Sequence, residues 1–236
     1  MDELAQKKSQ GIPIVGLTAY DFPTAQLIEQ AGLDLVLVGD SVGPMLLGHS
    51  SAHETTVDEM VMLGRAVVRG APNTLVVIDM PISAYRGDVD ESLVHAQRII
   101  RETGAAAVKI EGGREVIPAI ERLRESGISV AAHLSDAQAS DDLSETAHLL
   151  EEAGAALIVL VNLPRNRAMA VTQAVRVPTI GYLSGPHCDG QLYVTPRLVG
   201  LVPTGAENGP YFNLARQYER TFTRFRNDVR ARRFPR

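Results

Sequence analysis

The sequence predicts a (β/α)8 TIM barrel filling one domain over residues 1–236, and three observations carry that expectation. Short apolar strands alternate strictly with helix patterns. The strands are apolar along their whole length, as strands buried on both faces of a parallel sheet are. Seven or eight such units fit in about 200 residues, the pace of a closed barrel. A doubly wound open sheet shares the alternation. It usually carries a Gly-rich phosphate fingerprint after its first strand, and none stands here.

Each element has its own signal. The N-terminal segment reads as a short helix or a loose arm. Residues 14–20 form the first strand. Asp21 and Pro23 open a helix with Ala25, Ile28 and Ala31 at helical spacing, and Gly32 closes it. Residues 35–40 form the second strand, and a Gly-, Ser- and His-rich loop runs from Ser41 to Thr56. Thr56 or Asp58 caps a helix to Arg69, stopped by Gly70. Residues 75–80 form the third strand, closed by Pro81. A helix over 90–103 ends at Gly104. Residues 107–111 form the fourth strand, followed by a helix from Arg114 to Ser126. Residues 129–134 form the fifth strand, with a helix over 141–153 ending at Gly154. Residues 157–162 form the sixth, broken by Pro164, and Arg165 to Val175 reads as helix. Residues 179–182 form the seventh, and 191–194 a short eighth. An amphipathic helix runs from Phe212 to Arg233.

Composition narrows the classes. A net charge of −5 argues against nucleic acid or an anionic membrane as the main partner. The arginines of the tail (Arg224, Arg226, Arg230, Arg232, Arg233) spread around a helix and read as a solvated face. The lone cysteine, Cys188, excludes an internal disulfide and fits a reducing cytoplasm. The opening residues lack the apolar stretch of a secretory leader. No apolar run approaches the roughly 18 residues of a membrane helix.

The stretch Val108-Lys109-Ile110-Glu111-Gly112-Gly113 organises the candidate site. Lys109 and Glu111 stand two apart on a strand, so both point to one face. Two ionisable groups on an inward face are costly unless they serve a purpose. An internal ion pair is the plain explanation. A site for an anion and a metal is the sharper one. In a parallel barrel the chemistry lies at the strands' C-terminal ends. Those ends carry Tyr20 and Asp21, Asp40, Asp79, Glu111, His133, Asn162 and Tyr182. Asp40, Asp79 and Glu111 fall on neighbouring strands, and three acids at one mouth repel unless a cation sits among them. Mg²⁺ suits such oxygen donors and leaves room for water and substrate. Lys109 beside it suits a carboxylate. Together these residues point to enolate chemistry on a small α-keto acid, whose charge the metal stabilises.

Several segments resemble the ketopantoate hydroxymethyltransferase (3-methyl-2-oxobutanoate hydroxymethyltransferase) family, a branch of the phosphoenolpyruvate mutase/isocitrate lyase-like superfamily. They are residues 17–21, 38–43, 69–72, 79–81, 108–113, 185–191 and 233–235. The resemblance implies a (β/α)8 barrel with Mg²⁺ at Asp40 and Asp79 and Glu111 close by. It implies that Ser41 and Lys109 hold the substrate carboxylate, with Asp79 touching both metal and substrate. It implies hydroxymethyl transfer from 5,10-methylenetetrahydrofolate to 3-methyl-2-oxobutanoate, in pantothenate-type chemistry, by a cytoplasmic homo-oligomer.

Three departures stand out. The family's glutamate on the sixth strand, three residues before the proline and taken as its base, is Val161 here. The loop after His133 is short. Tyr182 and Leu183 replace small residues after the seventh strand, which is expected to narrow the mouth. The anchors for metal and carboxylate remain, so the departures predict altered specificity or chemistry rather than decay. His133, a metal-bound hydroxide or a residue not yet placed is the expected substitute base, with Lys109 beside it. A retro-aldol lyase on an oxo acid, or a non-catalytic oxo-acid-binding paralogue, are the alternatives.

Overall fold

The computed structural model describes residues 1–135, 142–202 and 211–235. The expected helix start at 141 and most of the short loop after His133 lie outside those residues. The chain divides into two compact units, Met1–Leu192 and Tyr193–Arg236.

The first unit carries the barrel. Its helices are α1 (Asp2–Ser9), α2 (Phe22–Gln30), α3 (Val57–Gly70), α4 (Val89–Thr103), α5 (Ile117–Glu125), α6 (Leu143–Ala153) and α7 (Arg165–Ala174). Its strands are β1 (Ile14–Thr18), β2 (Leu35–Val38), β3 (Leu75–Asp79), β4 (Ala107–Glu111), β5 (Val130–Ser135), β6 (Ala155–Val161), β7 (Thr179–Tyr182) and β8 (Gly190–Tyr193). They pair in sequence order into a closed barrel, parallel at every recorded register. The barrel closes where the Ile14 N–H donates to the Asp189 carbonyl at 3.0 Å. Gly190 permits this approach, because a Cβ there would strike the Ile14 backbone.

The caps follow from the sequence. Asp21 accepts from the Thr24 N–H at 2.7 Å and opens α2. Thr56, rather than Asp58, caps α3 through a capping box with Glu59. Asp88 and Asp142 cap α4 and α6. The first three strands end one or two residues earlier than expected, because the chain turns out of the ladder there. The third strand's last expected residue still bonds the sheet, its Met80 N–H donating to Lys109 O at 2.9 Å.

Two apolar layers form the core. Outward residues Val36, Val38, Ile78, Val108, Ile110, Leu134 and Ile158 pack against helix residues such as Ala25, Met60, Val67, Ile99, Ile120, Leu150 and Val171. Inward residues Leu37, Val77, Ala107, Ala131, Leu157, Val159, Ile180 and Leu192 fill the barrel. Leu4 of α1 joins this inner cluster beside Ile14 and Leu35, at the strands' N-terminal ends. The layers therefore alternate along each strand, and every second residue of β3 to β6 points into the barrel.

The second unit carries α8 (Thr195–Leu198) and α9 (Leu214–Arg230). The N–H groups of Leu214 and Ala215 bond the carbonyls of Val199 and Gly200. Tyr218, Phe222, Phe225 and Val229 share one exposed face of α9. Among the described residues, no helix is long and apolar enough to cross a membrane.

Candidate active site

Above the inner apolar layer the inward positions change character. Asp79 ends β3 in register with Lys109 of β4, and Glu111 is in register with His133 of β5. Asp79, Lys109 and His133 are all buried. Lys109 Nζ lies 3.1 Å from Asp79 Oδ1 and 3.3 Å from His133 Nδ1. The same Nδ1 lies 3.3 Å from Glu111 Oε2. The Asp40 N–H donates to Asp79 Oδ2 at 3.1 Å, which ties the end of β2 to β3. Ser41 Oγ and the Tyr20 hydroxyl share a hydrogen bond of 2.8 Å on the β1–β2 side. The Thr55 hydroxyl donates to the Asp40 carbonyl at 3.1 Å and fixes the loop beneath it.

The charges are set by burial and by one another. Burial pulls Lys109 down, but Asp79, Asp40 and Glu111 outweigh it and raise it, so the ammonium stays charged. Burial pushes Asp79 up to about 7 against the pull of Lys109, and Asp40 adds to the rise. Burial first and the Lys109 charge second hold His133 well below its ordinary value. Its imidazole is therefore neutral at physiological pH.

A neutral His133 has two useful forms. With Nδ1 accepting from Lys109, Nε2 carries the proton and is a donor. With Nδ1–H turned to Glu111, Nε2 offers a lone pair. Nε2 is buried and has no hydrogen-bond partner among the described residues. A buried polar atom without a partner is costly, and a ligand in the mouth would satisfy it.

The donor set fits a divalent cation. Asp40 and Asp79 bring two carboxylates to one ammonium, so the cluster is short of positive charge. A further cation would favour the ionised form of Asp79, and its oxygens suit a hard ion. Glu111 is turned to His133. Among the described residues, no group of three or more His, Cys, Asp or Glu side chains stands ready to hold a metal. Mg²⁺ ordinarily takes one or two carboxylates and completes its shell with water and substrate.

The opposite wall is apolar. Val161 is in register with Ser135 and Tyr182 and packs against the inner cluster. Beyond it, Asn162 and Leu183 hold positive φ of 54° and 53°. Leu183 is 54% exposed. Asp21 is a helix cap. Asp189 Oδ2 accepts from the Thr179 N–H and hydroxyl at 2.8 Å each and pairs with Lys8 at 2.9 Å, which is structural work.

Sequence reasoning missed Tyr85 and Thr55. Tyr85 is buried after the turn at Ile82–Ala84, in the field of Lys109 and Glu111, and burial first pushes its hydroxyl up to about 12. An aromatic among small and charged residues just past a strand end was its one signal. Thr55 is buried in a loop with no periodicity to mark it.

The sequence pattern described as ketopantoate hydroxymethyltransferase matches residues 1–135 and 134–236. A Geobacillus sp. (strain WCH70) protein named 3-methyl-2-oxobutanoate hydroxymethyltransferase is 39% identical over 250 residues, covering 97% of this chain and 88% of its own. One of the same name from Listeria monocytogenes serotype 4a (strain HCC23) is 43% identical over 210 residues, covering 82% and 76%. Among solved structures, a phosphonopyruvate hydrolase complex with oxalate and Mg²⁺ gives a TM-score of 0.72 at 15% identity, over 97% of this chain and 87% of that one. A 2,3-dimethylmalate lyase, described as a PEP mutase/isocitrate lyase superfamily member, gives 0.65 at 16%, over 81% and 79%. These two likenesses are likenesses of fold.

Proposed function

We propose, since the chain belongs to the ketopantoate hydroxymethyltransferase family, that it moves a hydroxymethyl group onto C3 of a small α-keto acid such as 3-methyl-2-oxobutanoate. The donor in this reading is 5,10-methylenetetrahydrofolate, and Mg²⁺ is the metal. The observation that carries it is the buried Asp79–Lys109 pair tied to the Asp40 N–H at the ends of three adjacent strands.

Lys109 and Ser41 bind the substrate carboxylate, and Tyr20 orients the Ser41 hydroxyl. Asp40 and Asp79 would hold the cation, and Glu111 belongs to the same cluster. When bound, the cation supplies positive charge against the negative charge that develops on the keto oxygen. His133 Nε2 takes the C3 proton in the form whose Nδ1–H faces Glu111. Water frees the one-carbon unit from the carrier's two nitrogens as formaldehyde and leaves tetrahydrofolate; the electron pair left at C3 bonds that carbon, and the aldehyde oxygen takes the proton to become the new hydroxyl. Val161 and its neighbours keep water from that carbon. In the same reading the protein is cytoplasmic, and the exposed apolar face of α9 supports assembly into a homo-oligomer.

The test is proton exchange by NMR. The protein is mixed with Mg²⁺ and 3-methyl-2-oxobutanoate in D₂O without folate, and the C3–H signal is followed. Exchange in the wild type that disappears in Asp79→Ala is the expected result. A bound keto acid that exchanges no proton would sink this reaction. Val161 favours one second reading, a retro-aldol lyase whose base takes a hydroxyl proton and needs no carboxylate on β6. An oxo acid lacking a β-hydroxyl separates the two, since only the lyase requires that group.

A further inference from the structure

Two charged groups compete for one nitrogen of His133. Lys109 Nζ and Glu111 Oε2 each lie 3.3 Å from Nδ1. The two contacts need the ring proton in opposite places. An ammonium has no lone pair, so Nδ1 facing Lys109 must accept, and the ring proton sits on Nε2. An ionised carboxylate has no proton to give, so Nδ1 facing Glu111 must donate, and Nε2 keeps its lone pair. Only the second form is a base toward the mouth. Nε2 is buried and has no hydrogen-bond partner among the described residues, so no protein group holds either form from that end.

The two partners differ in their surroundings. The side chains of Lys109 and His133 are 7% and 11% exposed, and that of Glu111 is 37% exposed. Two buried groups have no water to replace the bond between them, whereas Glu111 can turn to solvent. The empty site therefore favours the Lys109 contact. Lys109 gives another hydrogen of its ammonium to Asp79 at 3.1 Å. An arriving carboxylate changes the balance, because a bond between charged partners is about twice as strong as one between neutral groups. Nδ1 then loses its donor and keeps Glu111.

We propose that the substrate's own carboxylate arms His133: the acid draws Lys109 away from Nδ1, and Glu111, as a positioning residue, fixes the form whose Nε2 is a lone pair. This gate rests on the proton abstraction proposed above and narrows its substrates, since a ketone or aldehyde without a carboxylate leaves the base unarmed. The ring stays neutral during the change. One proton leaves Nε2 and one arrives at Nδ1, by exchange with water that reaches the mouth past Glu111. Nε2 then takes the C3 proton, the C–H electron pair stays with the substrate, and the Glu111 carboxylate balances the imidazolium.

The experiment is ¹⁵N NMR of the histidine rings in the full chain, which reports the nitrogen that carries the proton. The chain has six histidines, and the His133 signal is the one absent from His133→Gln. The probe is 3,3-dimethyl-2-oxobutanoate with Mg²⁺, an oxo acid with no C3 proton to lose. The expected form is Nε2–H in the free protein and with Mg²⁺ alone, and Nδ1–H once the acid is bound. Glu111→Ala should keep Nε2–H with the acid bound. It should slow C3 exchange of 3-methyl-2-oxobutanoate by up to about 10⁴-fold, the scale of a catalytic histidine held in the wrong tautomer. Glu111→Gln, whose amide oxygen still accepts, should restore part of both. The same form with and without bound acid would overturn the gate. So would a switch made by Mg²⁺ alone, or one that survives in Glu111→Ala. A switch in a wild type that exchanges no C3 proton would support the gate and count against the reaction alone.

Discussion

His133 stands between an ammonium and a carboxylate, and its Nδ1 can bond only one of them at a time. When Lys109 is drawn to a substrate carboxylate, Glu111 becomes the remaining partner, and Nε2 turns from donor to base. The folded protein holds this imidazole well below the ordinary value of about 6.5, burial being the larger cause and the Lys109 charge the second. Below about pH 6.5 the unfolded chain therefore binds a proton that the folded chain refuses. Stability contributed by the neutral ring is present above that pH and is lost as pH falls. The thermal midpoint of the wild type should fall more steeply than that of His133→Gln between about pH 7 and about pH 5. The same variant should slow C3 proton exchange by about 10²–10⁴-fold, the usual worth of a general base. Parallel midpoint curves, or undiminished exchange, would remove His133 from the mechanism.

At the scale of the element, each strand end is shaped by the residue that lets the chain leave the sheet. Gly112 releases β4 so that the turn Arg114–Val116 can close over it. After β7 the corresponding position is Leu183, at φ 53°. An L-residue other than Gly, Asn or Asp pays about 1–2 kcal/mol for that conformation. Leu183 recovers little by burial, being more than half exposed. Leu183→Gly should therefore raise the urea midpoint, by up to about 1 kcal/mol of stability after the entropy cost of glycine is counted. A fall in the midpoint would mean that the leucine side chain packs on a surface that offsets its strain. The neighbouring hydroxyl of Ser184 bridges this corner to β6, donating to Leu160 O at 2.8 Å and accepting from the Leu163 N–H at 3.1 Å. That bridge fixes the end of β6, where Val161 stands in register with Ser135 of β5.

For the barrel as a whole, closure brings its first and last strands together at Ile14 and Gly190. Ile14 reaches Asp189 and the glycine after it, and the side chain of Asp189 is itself held by Thr179 and Lys8. Gly190→Ala would push a methyl group into the Ile14 backbone. Overpacking of this kind typically costs about 1–3 kcal/mol, and backbone cannot move aside as a side chain can. Chemical denaturation should show a loss at or above that range, with weakened amide-exchange protection in β1 and β8 first. A variant as stable as the wild type would show that the two strands can part without loss. The outward layer depends less on this seam, since its contacts run from strand to adjacent helix.

Much of this was legible because it is local. Apolar runs, capping residues and the glycines after helices set the strands and helices, and their alternation set the barrel. The two-residue spacing of Lys109 and Glu111 put both on the inner face, and the strand ends put Asp40 and Asp79 beside them. Local signals of this kind reach the fold and name which residues the strand ends present. Only the tertiary structure decided who bonds whom: Asp79 to Lys109, Glu111 to His133 and Asp189 to the barrel seam. Hydrogen-bond partners, burial and the resulting charge states depend on groups brought together from distant parts of the chain. No one-dimensional pattern records those distances.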